Sequence, residues 1–134
     1  MQEYFYALAD AITGSLPGDE FYTCTFRAED SDFVRFNRSA IRQAGTVVQR
    51  FLTLDLIRGR RHAAAEVALS GDLESDRAQV RQSLSGLREK LPYLPEDPHH
   101  LYATAVNSSV QQGENQLPDR AEAVAAVLDD GVGR

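Results

Sequence analysis

Apolar and polar residues repeat with a helical period at the two ends of the chain and with a strand period through its middle. Over residues 2–13, Tyr4, Phe5, Leu8, Ala9 and Ile12 fall on one helical stripe, and the cluster Gly14-Ser15-Leu16-Pro17-Gly18 stops it. Residues 20–28, EFYTCTFRA, are aromatic and β-branched and predict a strand. An acidic corner, Glu29-Asp30-Ser31-Asp32, separates it from a second strand over 33–37. A turn at Asn37-Arg38-Ser39 leads to a third strand over 40–44, and Gly45 marks a bulge or another turn before a long fourth strand over 47–58.

Alternation sets the faces of these strands. Val34 and Phe36 share one face, with Phe33, Arg35 and Asn37 on the other; Val48, Leu52, Leu54 and Leu56 share a face on which Arg50 is the exception. After the turn Arg58-Gly59-Arg60-Arg61, Ala63, Ala65, Val67 and Leu69 alternate with His62, Ala64, Glu66 and Ala68 as a fifth strand.

A second helix follows, with Leu73, Val80, Leu84, Leu87 and Leu91 at helical spacing behind the N-cap candidate Asp72. Glu74 and Asp76 suit its positive end, and Arg88 and Lys90 its negative end. Pro92, Pro95 and Pro98 then impose extended backbone. A final helix begun by Pro118 places Leu117, Ala121, Val124 and Leu128 on one face, and DDGVGR ends it. The predicted fold is α+β: a curved, mainly antiparallel sheet of about five strands covered on one face by two or three helices. Residues 1–98 form the domain, and 99–134 an extended connector and a C-terminal helix leading toward a region beyond the chain.

At 134 residues and 43 % hydrophobic content, the length suits one domain with a core. No long apolar run and no signal-peptide pattern occurs, so the expected location is the cytoplasm, without membrane attachment. The net charge of −6 is unevenly spread: residues 35–61 hold Arg35, Arg38, Arg42, Arg50, Arg58, Arg60 and Arg61 against the single acid Asp55. The arginine turn, Arg58, Arg60 and Arg61, is therefore the candidate contact for an anionic partner. A pI near 5 and the lack of a recognition motif argue against nucleic acid.

Candidate chemistry is sparse. Cys24 alternates with Tyr22 and Phe26 and reads as a buried thiol serving as a small hydrophobe. His99 and His100 are adjacent and cannot share a face, His62 reads as a solvated strand residue, and no Glu or Cys stands at a spacing that completes a zinc site. Without a nucleophile elbow, phosphate loop, CxxC pair or HExxH helix, the sequence offers no catalytic residue, no metal ligand set and no cofactor site.

The run VRFNRSAIRQAGTVVQRFLTLDLIRGRR, with a helix and strand before it and a strand and helix after it, resembles the N-terminal domain of the TldD/PmbA family, zinc metallopeptidases also labelled modulators of DNA gyrase. Val34, Arg35, Phe36, Asn37, Ser39, Gln43, Gly45 and Gln49 carry the likeness, which spans about residues 1–98 and more weakly LPDRAEAVAAVLD. The family's zinc helix, of HExxxH type, lies in a C-terminal domain to which no position here corresponds, so zinc is implied only for that absent domain. The resemblance implies a non-catalytic domain that partners the C-terminal domain of the same protein or a paralogous subunit, joins a dimer in the full-length form and admits unfolded peptide. Arg35, Asn37 and Gln43 are then the candidate peptide-binding residues. The alternative is a freestanding interaction or nucleic-acid-binding module using the arginine-rich sheet.

Overall fold

The computed structural model describes residues 1–38, 40–114, 116 and 118–132, with the side chains of 131 and 132 left out of the description. It is an α+β chain: α1 (Gln2–Thr13), β1 (Glu20–Asn37), β2 (Ala40–Arg58), β3 (Arg61–Ala68), α2 (Leu73–Lys90), a 3-10 turn (Leu91–Tyr93) and α3 (Arg120–Val132). The three strands form one sheet in the order β1-β2-β3, with β2 and β3 antiparallel. Among the described residues, no helix is long and apolar enough to cross a membrane.

Among the described residues the expected five strands are three, because neither predicted interruption breaks the chain's extension. The acidic corner at 29–32 lies inside β1, where Asp32 is tied across the ribbon by the Thr46 hydroxyl at 2.6 Å. Gly45 lies inside β2, with the Phe33 ring resting where its side chain would be: a Cβ there would meet the ring at 3.1 Å. An aromatic ring laid over a strand glycine restores packing that the glycine lacks. Ser39 of the expected turn and Leu117 of the final helix lie outside the described residues.

The chain divides into two compact units, each discontinuous in sequence: residues 1–28 with 49–103, and residues 29–48 with 104–134. In the first, α1 and α2 cover one face of the sheet. The core joins Leu8 and Ile12 of α1, Leu52, Leu54 and Leu56 of β2, Ala63 and Val67 of β3, and Val80, Leu84 and Leu87 of α2. Its register follows from alternation, since Leu52 pairs with Val67, Leu54 with Ala65 and Leu56 with Ala63, all on the covered face. Asp72 caps α2 as expected, accepting from the Ser75 amide at 2.9 Å. Arg50, the exception on that face, lies at the end of the core, with its guanidinium 3.1 Å from where a side chain at Gly71 would begin. Gly71 has φ +93°, so glycine is required there for conformation as well as space.

In the second unit, α3 lies along the distal part of the β1–β2 hairpin. Asp119, rather than Pro118, opens the helix, its carboxylate accepting from the Ala121 amide at 2.9 Å. The helix runs through Asp129 and Asp130 to Val132, within the DDGVGR stretch expected to end it. Val48, expected on the core face, is 54 % exposed.

Candidate functional site

The distal hairpin brings the three candidate peptide contacts together. Phe33 and Gly45 touch, so they share a face, and alternation places Arg35 and Asn37 with Phe33 and Gln43 with Gly45. All three side chains are exposed, and none makes a hydrogen bond or ion pair among the described residues. The opposite face belongs to α3. Arg120 bridges to Asp32 through Nε and Nη2, and its Nη1 lies 3.1 Å from Asp30. Hydrogen bonds from Arg120, then from Thr46, hold the Asp32 carboxyl down at about 2, and the same pairing raises the Arg120 guanidinium. Between helix and hairpin lies an open groove of about 770 Å³, lined on its apolar side by Val34, Ala44, Val124 and Leu128.

The arginine turn is largely committed to the protein itself. Arg58 pairs with the fully buried Glu20 carboxylate and lies 3.5 Å from Asp19. Arg88 of α2 meets the same Glu20 at 2.9 Å and also donates to the Ser15 carbonyl at 2.9 Å. Glu20 thus joins β1, β2 and α2, and two guanidinium groups compensate its burial. Arg61 donates to the Leu94 carbonyl at 2.9 Å and lies 3.4 Å from Glu96. Arg60 alone of the three projects an exposed side chain with no partner of its own among the described residues.

Cys24 is half-buried at the edge of the core, and burial raises its thiol pKa, which is opposite to what a reactive thiolate needs. A second buried acid, Asp76 in the first turn of α2, accepts from the Tyr4 hydroxyl at 2.5 Å, the Ser70 amide at 2.8 Å and hydroxyl at 3.0 Å, and the Gly71 amide at 2.8 Å. Burial pushes its carboxyl up, but these donors outweigh it and leave the pKa lowered; the tyrosine, buried beside that anion, is raised.

Sequence spacing missed one further assembly, because its members come from three separate segments. Asp55 and His62 project from the face of β2 and β3 opposite the helices, with His62 Nδ1 3.2 Å from Asp55 Oδ1. His100 stacks on His62, ring centroids 3.9 Å apart at 13°, and Asp97 Oδ2 stands 3.6 Å from His62 Nε2. His62 is therefore half-buried in a cluster and is not a simple solvated strand residue. The signal available in the sequence was the alternation that puts residues 55 and 62 on one face; nothing local foretold that 97–100 folds back over it. Compared with protein-family models, curated proteins and solved structures, the chain matches none.

Proposed function

We propose that this chain is a non-catalytic domain for assembly and unfolded-peptide binding, of the kind its resemblance to the TldD/PmbA N-terminal domain implies. In that role it partners a metallopeptidase domain of the same protein or a paralogous subunit in a cytoplasmic dimer. The supporting observation is the distal hairpin: β1 is an edge strand of the sheet among the described residues, and Arg35, Asn37 and Gln43 stand unpartnered together on one face beside it.

An extended peptide adds to such an edge by main-chain hydrogen bonds, and its side chains alternate between the two faces. One set meets Arg35, Asn37 and Gln43, whose guanidinium and amide groups suit peptide carbonyls or a carboxylate terminus. The other set meets the face that carries Val34 and the apolar groove. The arrangement favours this reading over the nucleic-acid alternative, because Arg58 and Arg61 are already engaged in ion pairs.

The test is fluorescence anisotropy of a labelled, unstructured peptide titrated with this chain. Binding is expected, weakened at least tenfold by the triple change Arg35→Ala, Asn37→Ala and Gln43→Ala. Absence of peptide binding, together with salt-sensitive binding of DNA that is lost in Arg60→Glu, would replace the proposal with the alternative.

A further inference from the structure

We propose that Asp55, His62 and His100 form a site for a divalent transition-metal ion, with Asp97 as the outer carboxylate that orients His62. One donor atom from each of the three residues lies within 4.8 Å of the others. Two ligands of a tetrahedral ion at ~2.0–2.1 Å stand ~3.3 Å apart. The Asp55 Oδ1 to His62 Nδ1 distance, 3.2 Å, already has that value. The His100 ring lies nearly parallel to that of His62, so closing the third side takes a change of His100 rotamer that turns a ring nitrogen toward the same point, a side-chain rotation on a fixed backbone.

Three further features favour a ligand there. The His100 Nε2 atom is withdrawn from solvent and has no hydrogen-bond partner, a costly condition for an imidazole nitrogen that metal coordination would relieve. Asp97 Oδ2 stands 3.6 Å from the other nitrogen of His62, close enough that a small approach would give the carboxylate–histidine hydrogen bond that commonly orients metal-binding imidazoles. The segment carrying Asp97 and His100 is also pinned to the sheet. The Asp97 amide donates to the Arg60 carbonyl at 2.8 Å, the His99 amide to Asp97 Oδ1 at 2.8 Å, and Arg61 holds the Leu94 carbonyl.

Two imidazoles and one carboxylate suit zinc, cobalt, nickel or copper and discriminate against magnesium and calcium, which prefer oxygen ligands. Three protein ligands leave a fourth position for water or for a group from a partner. Bound there, the ion would fasten the segment after α2 to the face of β2 and β3 opposite the helices.

The experiment uses the tag-free chain, stripped with a chelator and titrated calorimetrically with zinc chloride and, separately, magnesium chloride. One zinc ion per chain with micromolar or tighter affinity is expected, without magnesium uptake. His100→Ala and Asp55→Asn should each weaken zinc binding at least tenfold, while His99→Ala should leave it unchanged. Cobalt loading of the unmodified chain provides a readout independent of how the variants fold: two imidazole N–H proton resonances should show paramagnetic shifts. No zinc uptake at millimolar concentration, uptake indifferent to both His100→Ala and Asp55→Asn, or cobalt binding that shifts no histidine resonance would each overturn the proposal.

Discussion

Replacing Asp76 with asparagine changes one atom at a fully buried junction of α1, α2 and the β3–α2 turn. The carboxylate receives four hydrogen bonds: Oδ2 from Tyr4 and Gly71, Oδ1 from the Ser70 amide and hydroxyl. In the Asp76→Asn variant one oxygen becomes an NH₂ group that faces donors. Turned toward Ser70, where the hydroxyl can rotate to accept, it still strands the Ser70 amide, and a stranded buried donor costs about 1–3 kcal/mol. The two bonds that remain lose their ionic partner, and bonds to charged groups contribute about 1.5–3 kcal/mol each against about 1 for neutral ones. The expected total is a destabilisation of about 3 kcal/mol. Tyr4→Phe removes one donor only and should cost about 1.5 kcal/mol.

Urea unfolding followed by circular dichroism measures both. With a slope of ~2 kcal/mol per molar, Asp76→Asn should lower the midpoint by about 1.5 M. Because the residues touch, the double variant should fall short of the sum of the singles. The sign of the pH effect is fixed by the lowered carboxyl: the Asp76 contribution is present above the unfolded-state value of ~3.9 and is lost as pH falls through the lower folded-state value. Asp76→Asn should lack that component of acid destabilisation. A loss below about 1 kcal/mol, or strict additivity with Tyr4→Phe, would refute the reasoning.

Further outcomes follow from other contacts. A carboxyl titration by NMR should find Asp32 ionised down to about pH 2, and in Arg120→Ala its midpoint should move up toward the usual carboxylate range; an unmoved midpoint would remove Arg120 as the cause. Cys24 should react slowly with a thiol reagent in the folded chain at neutral pH and rapidly in denaturant, and equal rates would contradict its burial. Gly45→Ala should push the Phe33 ring aside and cost about 1 kcal/mol, with a smaller effect in a Phe33→Ala background; equal effects in both would show that the ring is not the obstacle.

What can be read from the sequence divides along physical lines. Helix α2 is legible because its cap, its apolar stripe and its terminal charges all agree, and the covered face of β2 and β3 is legible through strict alternation at Leu52, Leu54, Leu56, Ala63 and Val67. The strand breaks are false signals. Acids and glycine ordinarily end strands, but here Thr46, Arg120 and the Phe33 ring, all supplied from elsewhere, keep residues 29–32 and 45 extended. Buried Glu20 and Asp76 look like ordinary surface acids in the sequence, since the guanidinium groups and amides that stabilise them are distant along the chain or depend on the turn at Ser70 and Gly71. Arg35 and Asn37 share a face by strand parity that the sequence carries, whereas Gln43 joins that face only through the β1–β2 register, which the approach of Phe33 to Gly45 marks.

The most direct test of the peptide-binding account is amide hydrogen exchange along β1 with and without a saturating unstructured peptide. Strand addition predicts that outward-pointing amides of residues 29–37 become protected while those of α2 do not change. Protection confined to the Arg58–Arg61 turn, or no protection in β1 with peptide bound, would contradict it.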